Sequence, residues 1–279
     1  MKIKIITDST ADIPKNIVES YGIEVVPLNV RFGETEFKDG VDIQADEFYE
    51  KLVSSSELPK TSQPSVGDFL TVYEKYASQG FDIVSIHLTG KLSGTMNSAL
   101  QAKKQMKTKS EIHILDTQKA SMGLGLIVLE AAKMVADGKN TKDVVNLVEN
   151  TMKKSEVFIL LHTLEYLEKG GRIGKAQALL GGLLSLKPLL ILENGVVETL
   201  GKARTFKKGV LKLRETVNTM APVAKLSVLY TTTPDFAKEF AQTLTEDLNL
   251  KEKPIVAQCG PVIGTYIGPG IIAVALLKA

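Results

Sequence analysis

Hydroxyls and glycines crowd the stretch Thr89-Gly90-Lys91-Leu92-Ser93-Gly94-Thr95. The apolar run before it, residues 82–88, reads as a buried strand, and the chain from Gly94 onward reads as the start of a helix. A small-residue turn between strand and helix leaves the first helical N–H groups without partners, at the positive end of the helix dipole. Such a place suits an anion. Ser93 either caps this helix or offers its hydroxyl to the anion. Asp8 and Asp116 end two other strand-like runs. Each is read as a carboxylate that braces its own loop. The alternative is that the two meet around a divalent cation, the beginning of a metal-dependent phosphoesterase or phosphotransferase.

Other reactive residues are sparse. His87 and His113 lie in apolar strand contexts that suit structural histidines, and His162 follows a third strand-like run. The chain has no phosphate-binding P-loop, no dinucleotide fingerprint, no HExxH and no GxSxG. No Cys/His group has metal-ligand spacing. Cys259 is the single cysteine, so no intrachain disulfide forms; it reads as a buried thiol in a reducing compartment. With 34 Lys+Arg against 32 Asp+Glu and no Trp, the chain lacks the basic, base-stacking surface of a nucleic-acid binder. The greasy stretch 178–192 is interrupted by Ser185, Lys187 and Pro188, and it falls short of the roughly 20 apolar residues a membrane span needs. Residues 2–7 go straight into a strand pattern without a leader. These features point to a cytoplasmic, soluble α/β protein, monomeric by default, with an anion site, no metal and no catalytic apparatus.

The elements that must position this site alternate. Strand-like runs end at Asp8-Ser9, Thr89–Thr95, Asp116-Thr117 and His162-Thr163, with helical patterns between them, which predicts a mostly parallel sheet with ligand groups at the carboxyl ends of its strands. Residues 31–44 read as a hairpin excursion. Ser65 is placed to cap a helix over 66–77, with Asp68 in the capping-box position, and Thr141 to cap another that runs to about residue 154. Residues 157–161 read as a further strand of this first half. Beyond the glycine-rich segment 168–172 the pattern changes, which predicts two domains, 1–168 and 169–279. In the second, residues 176–186 read as a leucine- and glycine-rich helix, Asn194-Gly195 as a type I′ hairpin turn, and 264–270 as a loop before a last strand. The fold expected is an N-terminal parallel sheet flanked by helices, followed by a mixed or antiparallel α/β domain.

Seven stretches, spread in order over nearly the whole chain, resemble the signatures of the DegV family of bacterial fatty-acid-binding proteins. They are residues 7–14 (TDSTADIP), Thr61-Ser62-Gln63-Pro64-Ser65, Leu92-Ser93-Gly94-Thr95, Leu115-Asp116-Thr117, residues 167–173 (LEKGGRI), Gly260-Pro261 and Gly268-Pro269-Gly270. The resemblance implies a long-chain fatty acid, such as palmitate, stearate or oleate, held in a cleft between the domains, with no catalysis and no cofactor. It also implies, for some members, presentation of the fatty acid to a separate fatty-acid kinase that feeds phospholipid synthesis; a sensor or delivery protein without a kinase is the alternative, and transient membrane contact belongs to either.

By position, the resemblance puts the carboxylate on Thr61 and Ser93. Two hydroxyls and the helix start at Gly94 and Thr95 supply the donors a carboxylate needs. Kinase-coupled members carry histidine where this chain has Tyr266. A tyrosine hydroxyl donates a hydrogen bond but cannot become a cation, so Tyr266 either holds the carboxylate or fills space. Arg204 matches an arginine associated with the kinase-facing surface. For the acyl slot the candidates are Leu179, Leu180, Leu183, Leu184 and Leu190, each otherwise an ordinary core leucine.

Overall fold

The computed structural model describes residues 2–179 and 186–279. In chain order its strands are β1 (Lys2–Asp8), β2 (Glu24–Val26), β3 (Asn29–Phe32), β4 (Thr35–Lys38), β5 (Lys60–Ser62), β6 (Phe81–His87), β7 (Ile112–Asp116), β8 (Ser155–Leu160), β9 (Lys187–Glu193), β10 (Val196–Ala203), β11 (Val223–Tyr230), β12 (Ile255–Gln258) and β13 (Ile272–Lys278). They form three sheets. The first, β2-β1-β6-β7, is wholly parallel. The second, β10-β9-β8-β13-β11-β12, is mixed. The third, β4-β3-β5, is a small antiparallel sheet.

One helix explains how the two large sheets share a core. Met122–Ala136 is apolar nearly all round, as a helix buried on every side must be. Leu124, Ile127 and Val128 pack in one cluster with Ile5 and Ile86 of the first sheet and with Val157, Ala273 and Ala275 of the second. Glycine is needed at two of its positions. A Cβ on Gly123 would run into the Val157 side chain, and one on Gly125 would sit 2.6 Å from the Ala11 carbonyl oxygen.

Local signals read correctly at several places. Ser65 caps Val66–Ala77, and Asp68 completes the capping box. Asn194 and Gly195 both have positive φ, 48° and 78°, as a type I′ turn between β9 and β10 requires. The hairpin at 31–44 is β3–β4.

Other expectations are corrected. Residues 157–161 read from the sequence as a further strand of the first half. Instead β8 pairs antiparallel with β13 and β9, so sheet membership changes between β7 and β8, before residue 155. An apolar strand preceded and followed by helices fits either sheet, so alternation alone cannot assign it. Residues 264–270 do not form a simple loop: Pro261–Ile267 is a helix with Gly260 as N-cap and Pro261 in its first turn, and Tyr266 lies on it. Asn140, not Thr141, caps Thr141–Met152, since its side chain accepts from Asp143 N–H while the Thr141 hydroxyl donates to Asp82. Within the expected helix 176–186, residues 176–179 belong to a 3₁₀ turn, Gly174–Leu179. Leu180, Leu183 and Leu184 lie outside the described residues.

Candidate functional site

The polar end of the site is assembled from three distant segments. β5 presents Thr61, paired opposite Val30 of the small sheet. The helix Pro261–Ile267 presents Tyr266, whose hydroxyl lies 2.5 Å from the Thr61 hydroxyl. The turn after β6 presents Ser93 and Gly94, and Gly94 is the N-cap of the helix Thr95–Gln105. Ser93 Oγ accepts from Thr95 N–H at 3.3 Å and lies 2.9 Å from the Thr95 hydroxyl. Thr95 itself is buried and stays off the cavity wall. So Ser93 braces the helix start and lines the cavity, while the N-cap itself is Gly94.

Two side chains not singled out from the sequence complete this end. Gln63 lies directly over Gly94, where a Cβ would overlap its amide, and Gln63 Nε2 donates to Ser98 Oγ at 2.8 Å. Arg172 stacks its guanidinium 5.1 Å from the centre of the Tyr266 ring. It donates from Nε to Leu92 O at 3.2 Å and from NH1 to Gly170 O at 2.8 Å. Both residues sit inside stretches already quoted for their resemblance, yet nothing local distinguishes Arg172 from other basic residues.

These groups line one end of a cavity of about 360 Å³, a size typical of small-molecule sites. Its walls come from both large sheets and the helices on them: Leu88 and Leu92, Val157, Ile159 and Leu161, Leu192 and Val197, and Val262, Ile263 and Ile267. Arg172 is the only charged residue among the described residues that line it. Thr10, Ser121 and Cys259 add further polar atoms to the wall. Leu190 is sealed in the core two residues from the wall residue Leu192, and Leu179 is half-buried off the wall. A second cavity of about 330 Å³ shares Thr61, Arg172 and Tyr266 with the first and is lined by Lys60 and Lys169. Arg204 is exposed in the link between β10 and the helix Phe206–Asn218.

Asp8 and Asp116 are held by separate sets of donors. Asp8 is fully buried; it accepts from Thr10 N–H and Leu88 N–H and pairs with His87 Nδ1 at 2.9 Å. His87 continues through Ser85 to Tyr73 in a buried relay. Asp116 accepts from Gly90 N–H at 3.1 Å and Gln118 N–H at 2.8 Å, bracing the turn that carries Ser93. Among the described residues no group of three His, Cys, Asp or Glu is placed to hold a metal. Burial pushes the Cys259 thiol up from its ordinary range, which keeps it the neutral, inert group the sequence suggested.

The chain matches, over residues 2–279, the model of the DegV family, described as uncharacterised proteins. A DegV domain-containing protein of Clostridium perfringens is 37% identical, covering 100% of this chain and 99% of its own. A solved DegV family protein from Thermus thermophilus, described by its fatty-acid binding, superposes with TM-score 0.89 at 33% identity, covering 100% of both chains. A stearic-acid-binding protein from Eubacterium ventriosum superposes with TM-score 0.91 at 29% identity, covering 99% of this chain and 98% of that one. The parallel sheet and the mixed sheet are thus the architecture of these solved relatives, and the chain belongs to the DegV family.

Proposed function

We propose that this protein binds a long-chain fatty acid, with its carboxylate among Thr61, Ser93, Gly94 and Tyr266 and its tail in the apolar cavity. The observation that carries this reading is a largely apolar cavity with hydroxyls, a helix start and one guanidinium gathered at one end. Thr61, Ser93 and Tyr266 supply hydroxyl donors. Arg172 supplies positive charge at a site whose tyrosine has none, a charge that matters more away from bulk water. Each methylene buried in the cavity contributes about 0.8 kcal/mol, so the tail provides affinity and the polar end provides orientation. The fatty-acid and stearic-acid binding of the two solved relatives supports the same assignment.

The protein acts as a carrier, presenting the carboxyl end to a fatty-acid kinase. Two features support this: the second cavity opens beside Thr61 and Tyr266 with Lys60 and Lys169 on its walls, and Arg204 is exposed. Denaturing mass spectrometry of freshly purified protein tests the binding. Co-purifying or added palmitate, stearate or oleate at one per chain is the expected result, and absence of all three defeats it. Formation of acyl phosphate from ATP by a fatty-acid kinase, dependent on this protein and lost with Arg204→Ala, tests the carrier role.

A further inference from the structure

The signature at residues 7–14 contributes only Thr10 to the cavity wall, yet one of its carboxylates touches two of the cavity's walls. Asp12 follows β1 after a single 3₁₀ turn, Ser9–Ala11, with φ 51°. Its Oδ1 accepts from Gly260 N–H at 2.9 Å, and Gly260 is the N-cap of the helix that carries Val262, Ile263, Tyr266 and Ile267. Its Oδ2 accepts from the hydroxyl of Ser121, a cavity-lining residue at φ 52°, ψ −147° that directly precedes the central helix. A conformation so rarely adopted by a non-glycine residue persists only where its surroundings hold it, and the Asp12 carboxylate is one of those holds.

A second carboxylate acts on the same helix start. Asp39 accepts from the Ser9 hydroxyl at 2.9 Å, and the backbone N–H of Val262 beside it favours its ionised form. A Cβ built on Gly260 would sit 3.1 Å from Asp12 Oδ1 and 3.1 Å from Asp39 Oδ1. Tyr49 OH donates to the Cys259 carbonyl at 2.9 Å. Two side chains from the first 50 residues, Asp12 and Tyr49, thus hold residues 259–260 from near the other end of the chain, and Asp39 packs beside them. Among the described residues neither Asp12 nor Asp39 has a cationic partner within ion-pairing distance, and the nearby Asp8 adds like charge. Burial pushes both carboxyls up, Asp39 to about 6. Crowding like charges around one helix start costs stability, so the arrangement points to a positional role.

We infer that Asp12, seconded by Asp39, is a positioning residue for ligand retention: it latches the helix Pro261–Ile267 to the first sheet and so holds the cavity closed around its ligand. This rests on the fatty-acid reading, and the helix itself reports the latch independently. The latch loosens when Asp12 loses its acceptor oxygens, whereas Thr61 and Ser93 keep theirs.

The test uses Asp12→Gly, Asp12→Asn and Gly260→Ala in the full chain. Glycine removes the carboxylate without strain at φ 51°, and asparagine keeps an oxygen for Gly260 N–H. Alanine at Gly260, whose φ is −70°, keeps the backbone and pushes a methyl between the two carboxylates. Dissociation of a fluorescent long-chain fatty acid and hydrogen exchange of residues 260–267 are measured on each. Asp12→Gly and Gly260→Ala are expected to raise the off-rate about tenfold, the scale of one buried hydrogen-bonding group left without its partner, and to speed exchange in 260–267, with Asp12→Asn recovering most of both. Wild-type off-rate and exchange in folded Asp12→Gly and Gly260→Ala overturn the latch, as does an Asn variant as impaired as the Gly variant. A wild-type chain that takes up no fatty acid defeats the underlying reading instead, and the latch is then judged on exchange alone.

Discussion

The Thr61 and Tyr266 hydroxyls lie 2.5 Å apart although 205 residues separate them in the chain. One comes from the middle of a three-residue edge strand and the other from a seven-residue helix. Either oxygen can donate, so one proton is held between them and one remains to meet a ligand oxygen. Thr61→Ala and Ser93→Ala are each expected to weaken fatty-acid binding by about 1–3 kcal/mol, the scale of a hydrogen bond to a charged group. Tyr266→Phe removes one donor but leaves Thr61 free to turn its own proton to the ligand, so its loss stays near the lower end. Titration calorimetry with oleate reads all three. Affinities unchanged in both Thr61→Ala and Ser93→Ala would rule out this polar end as the carboxylate site.

Arg172 is the only charged side chain among the described residues of the cavity wall. Arg172→Gln keeps a donor for the Leu92 and Gly170 carbonyls and removes the charge. Binding of a fatty acid is expected to weaken about tenfold, in line with the loss of one charge-assisted contact, and binding of the matching fatty alcohol to change far less. Equal losses for acid and alcohol would mean that Arg172 only packs against Tyr266.

What was legible in the sequence follows from how local each signal is. The capping box at Ser65 and the turn at Asn194-Gly195 depend on a few neighbouring residues, and both form as read. The sheet that β8 joins is decided by β13, more than a hundred residues later, and an apolar strand carries no label for its partner. The helix around Tyr266 was missed because its glycines suggested a loop, although Gly260-Pro261 is an N-cap followed by a first-turn proline. Thr61, Ser93, Gly94 and Tyr266 do line one cavity. Leu190 does not, because its place on β9 puts it in the core between the sheets.

Gly94 and Gly123 are expected to fail differently when replaced by alanine. At Gly94 the new methyl meets the end of the Gln63 side chain, which can swing aside. Gly94→Ala is therefore expected to keep most of its stability while losing ligand affinity, as Gln63 is displaced at the polar end. At Gly123 the methyl meets Val157 inside the core shared by both sheets. Overpacking there is expected to cost about 1–3 kcal/mol, read as a lower melting temperature with ligand absent. Equal melting temperatures for Gly123→Ala and wild type would show that the central helix is free to shift away from β8.

Asp39 gives the fold a pH dependence whose sign is opposite to that of a salt-bridged acid. Burial, helped by the charge of Asp8, raises its carboxyl from 3.8 to about 6. Between those values the folded chain keeps a proton that the unfolded chain gives up. The stability this proton supplies is present below the unfolded value and is lost as pH rises through about 6. A shift of this size corresponds to roughly 3 kcal/mol. Asp39→Asn stays neutral throughout, and its side-chain oxygen still accepts from the Ser9 hydroxyl. The variant is therefore expected to gain on the wild type as pH rises from 4.5 to 7.5, its melting temperature crossing or closing on that of the wild type near pH 6. Melting curves across that range check this. Two parallel curves would show that Asp39 titrates in the folded chain as it does in the unfolded one, and that the helix start at Gly260 is held without electrostatic strain.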